Sequence, residues 1–287
     1  MICSKLTICG VARNAGVGLE PTLSRIAEFM NVVADSSCFI VTNDNTDDTA
    51  RVIHDWARDS EQRFVLTLDG LIDSCAVRED RLAIARNSYL LNVMSRGVVD
   101  DELLIVMDLD GPNCDINVSD IIKAVARAGN GWDALFANQQ DAYYDIFALR
   151  HPIWSPGDCW AEVNEATTFP FRNRKKIRAI KQMIGRRQFK IPTNSPLIRV
   201  QSAFGGLGIY RANALKCSWY GSRSEDGSLQ CEHVALHRSM IRRGAKLFIA
   251  PEILNLAPTE HLVAGCGQLF PKEFLSQANN NAMPYPF

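Results

Sequence analysis

Glu102-Leu-Leu-Ile-Val-Met-Asp108-Leu-Asp110-Gly111 is the stretch on which the fold turns. Its apolar run, Leu103 to Met107, is unbroken and short, and two carboxylates follow it at alternate positions. A run of this length without polar interruption reads as a strand buried on both faces, which places it inside a parallel sheet covered by helices. In open α/β sheets ligands bind beyond the carboxyl ends of the strands. Asp108 and Asp110 are therefore expected at a binding crevice, where two carboxylates leaving water are stabilised by a hard divalent cation with oxygen ligands, or else in a capping or turn role.

Upstream, β-rich runs alternate with helical patterns, the signature of βαβ units. Strands are expected at Lys5 to Val11, Cys38 to Thr42 and Arg63 to Leu68, with helices at Glu20 to Asp35, Thr46 to Arg58 and Asp80 to Ser95. In the first of these helices Leu23, Ile26, Ala27, Met30 and Val33 share one face. Downstream, a helix at Asp120 to Ala128 leads into two further β-rich runs, Asp133 to Asn138 and Tyr143 to Leu149. The Gly-rich segment Ser202 to Arg211 follows, then a helix from Cys231 to Arg243 stopped by Gly244, and a last strand at Lys246 to Ala250. The tail after Gly267 is expected to be poorly ordered.

The 287 residues are 47% apolar and 22% charged, which excludes a disordered or fibrous chain. No apolar run approaches the length of a membrane span, and the amino terminus reads as a first strand, with no secretory leader. Nine scattered cysteines without a C-x-x-C pair point to a reducing, cytoplasmic setting and away from structural zinc. The net charge of −1 carries no signature for nucleic acid. Its distribution is uneven: Ala166 to Ser224 holds thirteen Lys and Arg and no Asp or Glu. That block reads as a solvated, mobile insertion, or as a site for an anionic acceptor or membrane surface, with residues 172–190 at its centre and the inner membrane face as the location.

Other candidates for chemistry flank the carboxylates. Val11 to Ala15, including Ala12, Arg13 and Asn14, ends the first strand, and Thr42 to Thr49 around Asp44 forms an Asx-rich turn or a base- or ribose-binding loop. Arg81 and Arg86 lie on the helix before the buried strand, where they could equally be surface residues with buried stems. Gly205, Gly206 and Gly208 allow close backbone approach or a strand bulge. His233 and His237 are i,i+4 neighbours that could bind a metal together or simply pack or lie exposed on the helix, and Trp154, Trp160 and Trp219 could stack on a sugar ring or pack in the core or on the surface.

In order, ARNA, TNDNTDDT, IARN, VMDLDG, VQSAFGGLGIYR, CEHVALHRSM and FIAPEILNLAPTEH make the chain resemble the GT-A glycosyltransferases from about Lys5 to Leu262. Within them it is most similar to the procollagen galactosyltransferase and capsule-associated mannosyltransferase type. The resemblance implies a GT-A-like Rossmann-type α/β/α sandwich over residues 1–267, with a nucleotide-sugar half at about 1–115 and an acceptor half at about 116–267. It also implies a metal-dependent hexosyltransferase of polysaccharide or glycan biosynthesis, using a UDP- or GDP-sugar donor, Mn²⁺ or Mg²⁺, and a saccharide or lipid-linked acceptor. Ala12, Arg13, Asn14, Asp44, Arg81, Arg86, Asp108 and Gly206 would then bind the donor, and Asp108, Asp110 and His261 the metal. Glu232, with Asp226 and Glu225 as reserves, would take the acceptor's proton. The chain departs from the family's paired acids here, having Glu232-His233. MDLDGP also resembles the first motif of haloacid-dehalogenase-type phosphatases, with Asp108 as nucleophile and Asp110 as general acid. A third reading is a catalytically inactive sugar-nucleotide-binding relative.

Overall fold

The computed structural model describes residues 2–167, 172–271 and 274. Eight strands form one sheet: β1 (Lys5–Ala12), β2 (Ser36–Thr42), β3 (Arg63–Thr67), β4 (Glu102–Asp108), β5 (Ala134–Gln139), β6 (Ile198–Val200), β7 (Leu207–Arg211) and β8 (Leu247–Asn255). Their order is β3-β2-β1-β4-β7-β5-β8-β6. β1 to β4 are parallel, and β5 and β8 share their direction, while β7 and β6 run against them. The sheet is thus mainly parallel, as expected. β4 sits near its centre, buried along its length, because both neighbouring positions and both faces are occupied.

Alternation along β4 divides the core. Leu104 and Val106 face one layer with Phe136, Tyr89 and Leu236, contributed in part by helices α4 (Arg78–Ser95) and α8 (Glu232–Arg242). Leu103, Ile105 and Met107 face the other, with α1 (Leu19–Met30), α2 (Thr49–Ala57) and α5 (Val118–Ala128) supplying Leu23, Ile26, Ile53 and Ile121. The remaining helices are the short α3 (Leu71–Ser74), α6 (Cys159–Ala166) and α7 (Arg172–Met183). Among the described residues no helix is long and apolar enough to cross a membrane.

Several sequence expectations are corrected. Tyr143 to Leu149 is not a strand: β5 ends at Gln139, and the segment makes a turn at 146–148 instead of pairing into the sheet. Its Tyr143, Ile146, Ala148 and Leu149 are buried, and Asp145 accepts the Ala148 N–H at 3.1 Å to hold the turn. The basic block is, where described, integral to the fold: it contains α7, β6 and β7. Gly205 and Gly206, at φ +65° and +80°, make the turn into β7, and a Cβ on Gly208 would meet the Tyr210 ring at 2.9 Å. β8 continues past Ala250 through Pro251, tolerated at the register shift opposite Phe136 and Asn138. α1 stops at Met30, and α2 starts only at Thr49 because Asp47 accepts the Thr49 N–H in a preceding turn. The near end of the expected tail is docked: Phe270 is buried against Trp154 and Phe189, and its N–H donates to the Lys190 carbonyl.

His237 is fully buried, bonded to the hydroxyls of Ser202 at Nδ1 and Tyr210 at Nε2, each at 2.9 Å. Burial pushes its pKa down to about 3 from the usual 6.5. The folded state therefore binds fewer protons than the unfolded one between those values, and stability falls as pH drops through that window, by about 1.4 kcal/mol per pH unit from this site. We expect His237→Gln to be less stable than the parent at neutral pH but to lose stability less steeply from pH 6 to pH 4, as read by urea unfolding at each pH.

Candidate active site

A cavity of about 930 Å³ opens where β1, β2 and β4 end. Ala12, Arg13 and Asn43 line it from β1 and β2, and Asp108 and Asp110 from β4. Leu109, between the carboxylates, points the other way into the core; its Cδ1 lies 2.1 Å from where a Cβ on Gly10 would stand. The glycine in β1 thus makes room for the leucine that sends both carboxylates to the same side. On the far side Arg81, Ala85 and Arg86 come from α4, Cys231, Glu232 and His233 from the start of α8, and Pro258, Glu260 and His261 from the chain beyond β8.

The centre of the wall is one guanidinium. Arg86 is 3% exposed; its Nη2 donates to Asp108 Oδ1 at 3.1 Å, and its Nε lies 3.0 Å from Glu232 Oε1. Its face lies over the Phe204 ring, 5.0 Å from the centroid. Burial pushes Asp108 up to about 7, Arg86 opposes this, and the nearby Asp110 and Asp145 add to it. Asp145 is also raised by burial, against the N–H groups of Gly205 and Ala148. Asp108, Asp110 and Asp145 thus crowd negative charge against a single buried arginine.

Beneath the carboxylates lies a buried amide network. Asn113 donates to the carbonyls of Asp108 at 2.9 Å and Gly206 at 2.7 Å. Asn255 donates to Asn113 Oδ1 at 3.0 Å and to the Gly205 carbonyl at 2.8 Å, and Gln139 donates to Asn255 Oδ1 at 2.8 Å. Asp108 N–H in turn donates to the Gly206 carbonyl. Three strand ends and the glycine turn are thereby fixed to one another. Gly206 acts here and not on the cavity surface, since a Cβ there would meet the Tyr144 hydroxyl at 2.9 Å.

The other sequence candidates divide. Arg13 lines the cavity and donates through Nε to the Asp44 carbonyl at 3.2 Å. Asp44 and Asn14 do not line it. The Asp44 carboxylate accepts the N–H groups of Gly70 and Ile72 and the Asn43 amide, which hold it below the usual carboxylate range. Asn14 exchanges hydrogen bonds with Asn45 and Thr46. Arg81 reaches the cavity while holding the carbonyls of Cys75 and Ala76. Asp226 lies on an exposed turn outside the cavity, pushed down to about 2 by the Ser224 hydroxyl and the Ser228 N–H, and Glu225 pairs with Arg242. His261 stacks on Tyr144 with centroids 5.7 Å apart. His233 and His237 are not a metal pair: His237 is spent on Ser202 and Tyr210, and His233 stacks on Phe204 at 3.9 Å. Of the tryptophans, Trp154 is core and Trp160 lines the cavity. Sequence reasoning missed Asp145, Asn113, Gln139 and Asn255. The signal for Asp145 was a charge inside an otherwise apolar run, Tyr143 to Leu149.

Among the described residues no three His, Cys, Asp or Glu side chains come together as a group that could hold a metal ion. Asp108, Asp110, Asp145 and His261 nevertheless line one cavity. An oxygen-rich, incomplete set of this kind fits a hard ion that keeps waters and takes its remaining ligands from phosphate oxygens.

No protein-family model matches the chain, and no curated protein sequence matches it. Solved structures do resemble it. A mannosyltransferase from Pyrobaculum calidifontis, determined with GDP-mannose and Mn²⁺, matches 89% of this chain at 12% identity with a TM-score of 0.50. TarS residues 1–349 of S. aureus match 88% at 12% identity and a TM-score of 0.48, and a glucosyl-3-phosphoglycerate synthase of Mycobacterium tuberculosis 88% at 12% and 0.40. This chain spans 57% of the length of the first and 59% of the second. The first likeness shows the fold, a GT-A-like α/β/α sandwich.

Removing one partner of a buried ionic network costs about 3–5 kcal/mol because the other charges stay buried without it. We expect Arg86→Met to lower stability by that order, and by more at pH 8 than at pH 5. At the lower pH protonation can neutralise Asp108, which burial already pushes up to about 7, once the guanidinium is gone. Denaturant unfolding at both pH values checks this, and an equal loss at both would contradict it.

Proposed function

We propose that the chain is a metal-dependent glycosyltransferase that moves a hexose from a UDP- or GDP-sugar to a hydroxyl of a saccharide or lipid-linked acceptor. One observation carries this reading: two carboxylates at alternate positions end a buried parallel strand and face a cavity shared with the ends of β1 and β2. The likeness in fold to a mannosyltransferase solved with GDP-mannose and Mn²⁺ supports it.

In this proposal Asp108, Asp110 and His261 would hold Mn²⁺ or Mg²⁺ where the donor's diphosphate binds. When bound, the ion neutralises the negative charge that grows on the leaving nucleoside diphosphate. Arg13 and Asn43 meet the nucleotide at the strand ends. Arg86 keeps Asp108 in place through Nη2, with Glu232 beside its Nε. Glu232 remains the candidate to accept the acceptor's proton: Oε1 belongs to Arg86, while Oε2 has the Cys231 thiol at 3.7 Å. The capsule-associated and procollagen type of enzyme is the finer reading, with polysaccharide or glycan biosynthesis as the setting.

Thermal unfolding with UDP, GDP, CMP and dTDP, with and without Mn²⁺, tests the donor class. A ligand at about a hundred times its Kd adds roughly 2.7 kcal/mol, a rise of about 5–10 °C for a chain of this size. We expect a Mn²⁺-dependent rise with one nucleotide, abolished in Asp110→Ala; no rise with any of them, together with phosphate-ester hydrolysis, would move the assignment to a phosphatase.

Glu232→Gln separates two roles for that residue. Loss of a general base lowers turnover by about 10²–10⁴. We expect that loss with the nucleotide-induced rise in Tm retained; if the rise disappears as well, Glu232 acts by holding Arg86 and does not take the proton.

A further inference from the structure

Nothing in the proposed transfer uses α7. Its inner face, with Ala179 buried and Ile180 and Met183 packed against the core, is joined to α6. Its outer face carries Arg174, Ile177, Arg178 and Lys181, spaced i, i+3, i+4 and i+7 and therefore one stripe along the helix. All four are exposed, and Ile177 is 71% exposed between the cations. Lys176, Arg186 and Lys190 are exposed as well. Of the acids on α6, Glu162 is paired with Arg187 at 2.7 Å and Glu165 is exposed, and beyond Glu165 no acid occurs before Glu225. The helix pair that carries the stripe adjoins the cavity, since Trp160, Ala161 and Asn164 of α6 and Ile184, just past α7, are part of its wall.

We propose that the outer face of α7 docks on an anionic lipid surface. Cations of such a stripe are drawn to acidic headgroups, each contributing on the order of 1 kcal/mol close to the surface, and a bare aliphatic side chain among them enters the acyl boundary. A nucleic acid backbone has use for the cations but none for Ile177, so the stripe favours a membrane. Docked in this way, the α6 side of the cavity lies beside the surface, where a lipid-linked acceptor is presented. The proposal does not depend on the donor chemistry.

Co-sedimentation of the full chain with phosphatidylcholine vesicles, with and without about a third phosphatidylglycerol, tests it. We expect binding to the anionic vesicles only, weakened by salt. Replacing Arg174, Arg178 and Lys181 together by Gln should weaken it roughly a hundredfold, at about fivefold per cation. Ile177→Ser should weaken vesicle binding severalfold and leave heparin and duplex DNA binding unchanged. These exposed substitutions leave Tm, and any nucleotide-induced rise in it, near the parent's. Equal binding to neutral vesicles, no binding to anionic ones, or duplex DNA bound more tightly than anionic vesicles would overturn the proposal.

Discussion

The buried guanidinium of Arg86 is the interaction on which the rest of the site depends. It joins the end of the central strand, through Asp108, to the first turn of α8, through Glu232. A charge 3% exposed persists only where opposite charges and hydrogen bonds replace its lost hydration. Because both partners also face the cavity, the same contacts that hold α4 to β4 and α8 set the site's electrostatics. Asp108 is poised between an arginine that favours its charge and two carboxylates that oppose it.

The polar floor beneath does complementary work without charge. Asn113, Asn255 and Gln139 are buried, and each supplies an amide donor or acceptor to a strand end or to the Gly205–Gly206 turn. Unpaired, such groups would each cost about 1–3 kcal/mol; paired, they fix the carboxylate-bearing turn in one register. Gly10 and Gly206 belong to the same device, one admitting Leu109 and the other the Tyr144 hydroxyl.

The basic segment shows how charge patterning underdetermines structure. A run of cations without acids reads as a loop when its apolar residues are sparse, yet Ala179, Ile180 and Met183 suffice to seat a helix against α6, and the segment goes on to supply β7 beside β4. Local composition registers the cations and not the neighbours that accept the intervening apolar side chains. The same blindness made Tyr143 to Leu149 look like a strand: a β-rich composition records local preference, not whether a partner strand lies alongside.

What the sequence determined by itself is everything governed by short-range pattern: the buried strand Leu103 to Met107, the parallel half of the sheet, and two carboxylates emerging at a crevice. These follow from side-chain periodicity and from the rule that strand ends of an open sheet bind ligands. Tertiary structure alone decided that Arg86, separated from Glu232 by about half the length of the chain, sits against it, that Asp145 joins the site from a turn, and that Asp44, Asn14 and Asp226 are occupied elsewhere. Those outcomes depend on which backbone N–H or buried charge lies opposite each side chain, and contacts between residues far apart in the chain leave no periodic trace in it.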